Sequence, residues 1–169
     1  MQVVFIRHAD AEPAGADGDA ARKLTGRGTK QARRTAEALK LLDVQLEVIL
    51  SSPLTRAVQT AELAAKAHRD ARTEVAEFLA PPVEPTALTA RLAELDAQGV
   101  GSVALVGHTP SLEETVGLLV FGTRSVPISL SKAGAICVQI DPADKGKPGA
   151  LRWLIQRKQL AYVATSEKG

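Results

Sequence analysis

Two histidines and two arginines stand where hydrophobic runs of this chain end. His8 follows Arg7 after one run, His108 follows a second, and Arg56 comes shortly after a third. These four side chains are a poor set of metal ligands. Guanidinium groups bind phosphate oxygens bidentately, however, and a neutral imidazole is a nucleophile. The residue types therefore indicate a site that holds a phosphoryl group and transfers it to a histidine.

The hydrophobic runs are short and rich in β-branched residues, as strands are. They comprise residues 3–6, 48–50 and 103–106. In an open α/β sheet, ligands bind outside the carboxyl ends of the parallel strands. If the three runs are parallel neighbours, His8 and His108 meet in one crevice, and Arg7 and Arg56 reach the same rim.

Strand-like runs alternate with helical patterns along the chain, which predicts an α/β protein with a mostly parallel central sheet. Helices are predicted at residues 28–42, 54–66 and 86–98. Gly99 is expected to end the last of them. The runs 135–138 and 151–155 are expected to form an antiparallel hairpin. Residues 9–23 contain Gly, Pro and Asp without periodicity, which predicts a loop over the end of the first strand that could act as a lid.

Two of the predicted helices begin close to the candidate site. Ser52 resembles an N-cap followed by Pro53 at the first helical position, and Ser111 has capping-box spacing to Glu114. The free N–H groups of such helix starts favour an anion. Ser52 and Thr109 are therefore candidate phosphate contacts, although N-capping explains Ser52 equally well and Thr109 could simply begin a helix.

The length and composition of the chain indicate one globular domain. Its 169 residues include 24% charged and 45% hydrophobic side chains, which are ordinary values for a folded protein. We expect a single domain over 1–164 and a short polar tail over 165–169. A net charge of +2 gives no reason to expect a nucleic-acid partner. No apolar run approaches the ~18 residues that a membrane span needs.

The cysteine and histidine content excludes some classes of site. Cys137 is the only cysteine and cannot form an internal disulfide, which fits a reducing compartment. The start of the chain lacks the basic region of a signal peptide, so a cytoplasmic location is expected. Three histidines and one cysteine without close spacing predict no zinc site. His68, late in a helix, is expected to be exposed to solvent and to interact with the helix dipole.

Three motifs of this sequence occur together in a known family. They are Arg7-His8, Ser52-Pro53-Leu54-Thr55-Arg56-Ala57-Val58-Gln59-Thr60-Ala61 and Gly107-His108-Thr109-Pro110. In this order, over about residues 2–140, they resemble the histidine phosphatase superfamily, also called phosphoglycerate mutase-like. The Arg-His-Ala-Asp-Ala opening, Leu24-Thr25 with Gly28 and the short length resemble its phosphohistidine phosphatase SixA branch. Ala9, where glycine is usual, departs from the pattern.

The resemblance implies a three-layer α/β/α fold and a metal-independent phosphatase that uses no cofactor. It implies that His8 is the nucleophile, that Arg7 and Arg56 bind the phosphate, and that His108 supports the transferring phosphoryl group. Physical chemistry agrees with these roles. A hydrogen bond from the other nitrogen of His8 to a backbone carbonyl would fix the useful tautomer, and the two arginines would disfavour protonation of the ring.

A proton donor for the leaving group is less evident. Relatives supply an acid between the second helix and the second histidine, and Glu77 is the nearest match; Glu84, Asp10 and Asp17 are further candidates. A missing strong acid matters less for a phosphoramidate, whose bridging nitrogen is readily protonated, than for an alkyl phosphate. We therefore expect protein phosphohistidine, as in a phosphotransfer domain, to be the substrate.

Two other functions stay open. One is a phosphatase for a small phosphorylated metabolite, which a lid formed by residues 9–23 would suit, whereas an open site would suit a protein. The other is a phosphate-binding module without turnover, against which His8 counts, because binding needs only the arginines. The expected partner is thus a phosphorylated protein of histidine-phosphotransfer type, with a role in signal transduction, or a small phosphorylated molecule. Neither a nucleic acid nor a membrane is expected.

Overall fold

The computed structural model describes residues 1–144 and 146–166 of the chain, in which a six-stranded sheet lies between two layers of helices. The strands are β1 (Gln2–Arg7), β2 (Val48–Ser51), β3 (Arg72–Val75), β4 (Ser102–Gly107), β5 (Ala135–Gln139) and β6 (Ala150–Ile155). The helices are α1 (Gly26–Leu41), α2 (Thr55–Ala67), α3 (Pro85–Ala97), α4 (Ser111–Phe121) and α5 (Arg157–Ser166). A 3-10 turn, Glu77–Leu79, follows β3.

The strands lie in the order β3-β2-β4-β1-β5-β6. The first four are parallel: Val106 of β4 lies opposite Ile6 of β1 on one side and Ser51 of β2 on the other. β5 is antiparallel to β1, and β6 is antiparallel to β5, as the hairpin prediction requires. The prediction of a three-layer α/β/α fold with a mostly parallel sheet is therefore confirmed.

The central strands are buried on both faces, which is why they are almost continuously apolar. Val3 and Phe5 of β1 pack with α3 and α4 on one side of the sheet. Val4 and Ile6 pack with α1, α2 and α5 on the other. The face of α2 toward the sheet consists of small side chains, which include Ala57, Ala61 and Ala64. These alanines let the helix approach the strands closely.

Two predicted helix caps are wrong. α2 begins at Thr55, so Leu54 holds the N-cap position, and the hydroxyl of Ser52 is engaged by His108 instead. α4 begins at Ser111 itself, which makes that serine the first helical residue rather than a cap. In both cases the local pattern correctly predicted a helix nearby but wrongly predicted that the serine caps it.

The strand β3 and the helix α5 were not predicted, and one prediction about a side chain is wrong. β3 is an edge strand with the sequence Arg-Thr-Glu-Val and mostly exposed side chains, so it lacks a hydrophobic signal. α5 buries Leu160 and extends through Ser166. The predicted tail thus begins inside a helix, and its residues 167–169 lie outside the described residues. The prediction that His68 is exposed to solvent is wrong: the side chain is 7% exposed, because it lies at the C-cap of α2 against the backbone of Ala36 in α1.

Candidate active site

Three parallel strands end at the same edge of the sheet and place the candidate residues there. The N–H of His8 donates to the carbonyl of Gly107 at 2.9 Å, and the N–H of Ser52 donates to the carbonyl of Val106 at 2.9 Å. The ring centroids of His8 and His108 are 5.0 Å apart, with the ring planes inclined at 51°. Hydrogen bonds between the strand ends thus hold two imidazoles in one crevice.

His8 has one ring nitrogen bound and the other available. Its Nδ1–H donates to the carbonyl of Ala9 at 2.7 Å, so Nε2 carries the lone pair. Burial lowers the pKa of His8 to about 4, and the bond to Ala9 opposes that shift. The positive charges that add to the lowering belong to Arg56, Arg7 and Lys132. The ring is therefore neutral near pH 7, as a nucleophile must be.

Several buried donors converge on the same site. In the described part of the chain, four buried side-chain nitrogens have no hydrogen-bond partner: Nε of Arg7, Nε of Arg56, Nδ1 of His108 and Nε2 of His68. The first three belong to the candidate site. An unpaired buried polar group costs about 1–3 kcal/mol, so its presence at a functional site calls for an explanation. An anion bound among these nitrogens would accept hydrogen bonds from them.

The protein engages one terminal nitrogen of Arg7 and both terminal nitrogens of Arg56. Nη1 of Arg7 donates to the carbonyl of Leu130 at 2.7 Å. Nη1 of Arg56 donates to the carbonyl of Asp19 at 2.8 Å, and Nη2 donates to Oδ2 of the same residue at 2.9 Å. These bonds fix the direction in which each guanidinium group presents its Nε–H.

His108 is bound to Ser52 and is also neutral. Its Nε2 lies 2.8 Å from Oγ of Ser52. The N–H of Leu54 donates to the same Oγ at 3.4 Å, so the hydroxyl can donate its own proton to Nε2. The proton of the neutral ring is then on Nδ1. Burial, followed by the charges of His8 and Arg56, lowers the pKa of His108 to about 3.

The remaining predicted site residues lie at the same edge. Thr109 directly follows His108 and is half-buried in the connection to α4. Glu77 begins the 3-10 turn after β3, and a bond of 2.8 Å from the N–H of Ala76 to the carbonyl of Ser51 holds this turn at the carboxyl ends of the strands. The side chain of Glu77 is exposed to solvent. Glu77 is thus near the correct edge but is not enclosed with the two histidines.

Asp10 is the centre of an ion-pair network and does not fit the role of a proton donor. Its carboxylate accepts from Lys132 at 2.9 Å, from Arg27 at 2.9 Å and from Thr25 at 3.1 Å. The bond from Lys132 contributes most to lowering the pKa of Asp10, which is about 2. The carboxyl group is therefore ionised near neutral pH, and the prediction that it could supply a proton is wrong.

Sequence reasoning missed three charged residues that surround the site. Asp19 lies in the predicted loop, and Lys132 lies in the irregular segment before β5. Glu113, in the first turn of α4, accepts the N–H of Leu130 at 2.7 Å and so holds the segment whose carbonyl binds Arg7. Periodicity gives no signal for Asp19 and Lys132, which lie in irregular segments, and it cannot show that Glu113 of α4 meets Leu130, because such contacts are set by the tertiary fold.

The part of the chain that the structure describes has neither a cluster of metal ligands nor a membrane-spanning helix. Within residues 1–144 and 146–166, no group of three or more His, Cys, Asp or Glu side chains is arranged to hold a metal ion. In the same ranges no helix has the length and apolar character to cross a membrane. Cys137 is a free, buried thiol.

Known sequences match this chain over most of its length. The sequence profile of the histidine phosphatase superfamily (branch 1) matches residues 3–80, which include His8 and Arg56. The phosphohistidine phosphatase SixA of Escherichia coli is 32% identical over 147 residues, which cover 86% of this chain and 89% of that protein. An uncharacterized protein of Picosynechococcus sp. is 37% identical over 139 residues, which cover 80% of this chain and 83% of that protein.

A solved structure matches the fold as well. The protein histidine phosphatase SixA complexed with tungstate superposes with a TM-score of 0.84 at 30% sequence identity. The match covers 95% of this chain and 99% of that one. The similarity therefore includes the strands that carry the site and the helices on both faces of the sheet.

Proposed function

The chain belongs to the histidine phosphatase superfamily, in its SixA branch, and we propose that it removes phosphate from phosphohistidine of a partner protein through a phosphoryl intermediate on His8. The phosphatase activity follows from the family; the substrate, the intermediate and the residue roles are our proposal. One observation carries it. The bond to Ala9 leaves Nε2 of a neutral His8 free, next to buried donors of two arginines.

The proposed reaction has two halves. Nε2 of His8 attacks the phosphorus, and the bond to the leaving nitrogen breaks as that nitrogen takes up a proton. Water then attacks the phosphorus of phospho-His8, the bond between phosphorus and Nε2 breaks, the proton lost by the water is taken up by the phosphate, and inorganic phosphate leaves a neutral His8. In both halves the phosphoryl group carries negative charge on its three outer oxygens, so positioning and charge stabilisation supply most of the catalysis. Arg7, Arg56 and His108 would donate to these oxygens, and we propose that no metal ion takes part.

The groups near the site favour a substrate whose leaving group is easily protonated. Asp10 and Asp19 both form ion pairs that lower their pKa, so they hold no proton near neutral pH. Glu77 remains the candidate donor, but its side chain is exposed. A phosphoramidate nitrogen needs no strong buried acid, whereas an alkyl alcohol does. The name of the Escherichia coli relative, a phosphohistidine phosphatase, supports the same substrate class.

A small phosphorylated metabolite is the second candidate substrate. The loop 9–23 lies against the site: the N–H of Thr55 donates to the carbonyl of Ala20 at 3.0 Å, and Asp19 binds Arg56. A loop in this place would suit a small ligand better than a protein surface. We also propose a cytoplasmic location, because the free thiol of Cys137 fits a reducing compartment. With phosphohistidine of a phosphotransfer protein as substrate, the role would be in signal transduction.

The test measures phosphate release, with a chelator present, from a phosphohistidine-bearing protein and from p-nitrophenyl phosphate. We expect chelator-resistant release by the wild type and none by His8→Ala, with circular dichroism to check that the variant is folded. Covalent phosphate should be trapped on the wild type only. Faster turnover of simple alkyl phosphates than of phosphohistidine would overturn the substrate assignment. Binding of phosphate without release or trapping would indicate a module that only binds.

A further inference from the structure

Asp19 holds the end of the Arg56 side chain with two of its oxygens. The backbone carbonyl accepts from Nη1 at 2.8 Å, and Oδ2 accepts from Nη2 at 2.9 Å. The arginine side chain is 7% exposed, whereas the aspartate side chain is 58% exposed. A carboxylate of a surface loop thus reaches inward to a buried guanidinium group of the candidate phosphate site.

Asp19 is itself held in place from the outer side. Its Oδ1 accepts from Nη1 of Arg22 at 2.8 Å. The next residue, Ala20, accepts the backbone N–H of Thr55 at 3.0 Å, which fixes the loop to the first turn of α2. Arg56 is the second residue of that helix. The loop and the helix therefore meet at the base of the arginine and again at its tip.

The contact takes one edge of the guanidinium group and spares the other. A guanidinium group has an end edge, formed by Nη1 and Nη2, and a side edge, which includes Nε. Asp19 occupies the end edge of Arg56, and in the described residues Nε has no partner. Arg7 has a similar arrangement, since Leu130 accepts from its Nη1 while its Nε has no partner there. In both arginines, Nε thus has no protein partner among the described residues and keeps its hydrogen for an anion.

We propose that Asp19 is a positioning residue for the phosphatase reaction: it clamps the end edge of Arg56 so that the side edge points at the phosphoryl group. The inference rests on the proposed function, because it takes Arg56 to be a phosphate ligand. The aspartate acts through the arginine and does not touch the substrate. Its negative charge is neutralised by Arg22 on the outer side, which limits its repulsion of a bound phosphate.

If Asp19 clamps Arg56, its removal should change the affinity for an oxyanion in the opposite direction from the removal of a competitor. A carboxylate on a phosphate-binding arginine could also be a competitor that phosphate must displace. Removing a competitor would strengthen the binding of an oxyanion. Removing a clamp would weaken it, because the long arginine side chain would lose its fixed direction and the phosphoryl oxygens would lose a preorganised donor.

The experiment measures tungstate binding by calorimetry in the wild type, Asp19→Ala, Asp19→Asn and the control Glu12→Ala, which removes an exposed carboxylate of the same loop. We expect the dissociation constant to rise roughly tenfold or more in Asp19→Ala. It should rise less in Asp19→Asn, whose amide oxygen can still accept from Nη2. It should not change in Glu12→Ala. In steady-state assays Asp19→Ala should lower kcat as well as raise KM.

The other outcomes distinguish a clamp from a competitor, from unfolding of the variant and from failure of the proposed function. Thermal melting of all four proteins shows whether the variants are folded, so a loss of binding by a folded Asp19→Ala cannot be a loss of structure. Tighter binding in Asp19→Ala would identify a competitor and overturn the proposal, and unchanged binding would overturn it as well. If the wild type binds no tungstate and hydrolyses no phosphohistidine, the proposed function fails, and the role of Asp19 fails with it.

Discussion

The ammonium group of Lys132 lies 2.9 Å from Oδ1 of Asp10, and this ion pair joins the segment just after the candidate nucleophile to the segment before β5. Asp10 comes two residues after His8. Lys132 precedes Ala133, whose N–H donates to the carbonyl of Arg7 at 3.0 Å and lies 3.3 Å from that of His8. The ion pair between Lys132 and Asp10 therefore anchors the segment that supports the end of β1, where Arg7 and His8 lie.

Replacing Asp10 with asparagine is expected to lower the free energy of unfolding at pH 7 by roughly 1–2 kcal/mol. The reason is that folding lowers the pKa of this carboxyl group from 3.8 to about 2. Stability from such a group is present above the unfolded pKa and is lost as the pH falls through the folded pKa. The free energies of unfolding of wild type and variant, measured with urea, should therefore converge as the pH falls from about 4 to about 2.

The exposed Asp17 of the same loop provides the control for this prediction. Asp17→Asn removes the same charge and should change the free energy of unfolding by less than about 0.5 kcal/mol at pH 7. A difference between wild type and Asp10→Asn that stays constant down to pH 2 would show that the ion pair is not its source.

The parts of the fold that sequence could predict are those with a strong local signal. β1 and β4 are apolar because they are buried on both faces, and this made the positions of His8 and His108 predictable. β3 has no such signal, because an edge strand keeps its side chains in water. Local pattern therefore located the nucleophile candidate but left the edge of the sheet unknown.

The parts of the site that sequence could not predict depend on contacts between distant segments. Ser52 before Pro53 looks like a helix cap, but its hydroxyl lies against His108, which is 56 residues away in sequence. Asp19 meets Arg56 across 37 residues, and Lys132 meets Asp10 across 122. Such pairs are set by the tertiary fold, and spacing within one segment carries no information about them.

Acid is expected to destabilise the folded protein well above the pKa of its carboxyl groups. Folding lowers the pKa of His8 from 6.5 to about 4 and that of His108 from 6.5 to about 3. Between pH 6.5 and the lowered pKa of each ring, the histidines of the unfolded chain bind protons that those of the folded protein do not. The free energy of unfolding should therefore fall as the pH falls below 6.5. Urea unfolding at several pH values between 7 and 4.5 measures this slope.

A variant with one of these histidines removed tests the assignment. His108→Asn lacks one of the groups that titrate differently in the two states, so its stability should depend less steeply on pH than that of the wild type. His68, whose pKa burial also lowers, keeps part of the slope in both proteins. A wild-type stability that does not change between pH 7 and pH 4.5 would contradict the prediction.

Ser52→Ala is expected to lower catalysis more than stability. The hydroxyl of Ser52 binds Nε2 of His108, and without it the ring loses the partner that fixes its tautomer and direction. We expect kcat/KM to fall roughly tenfold to a hundredfold. A helix cap would behave differently: Thr25→Ala removes the hydroxyl that caps α1 at 2.9 Å and also binds Asp10, so it should cost about 1–2 kcal/mol of stability. Kinetics and urea unfolding of both variants separate the two roles.

Gly28 is expected to tolerate no side chain, because the first turn of α1 packs directly on the backbone of Asp10. A Cβ atom at position 28 would overlap the carbonyl oxygen of Asp10. Gly28→Ala must therefore push the helix away from the segment that follows His8, at a cost of roughly 2–4 kcal/mol in the free energy of unfolding. Gly26→Ala is the matched control in the same helical turn, since a Cβ there would meet no described atom within 4 Å. It should be neutral or slightly stabilising. Equal urea midpoints for the two variants would mean that the close approach of helix and loop does not contribute to stability.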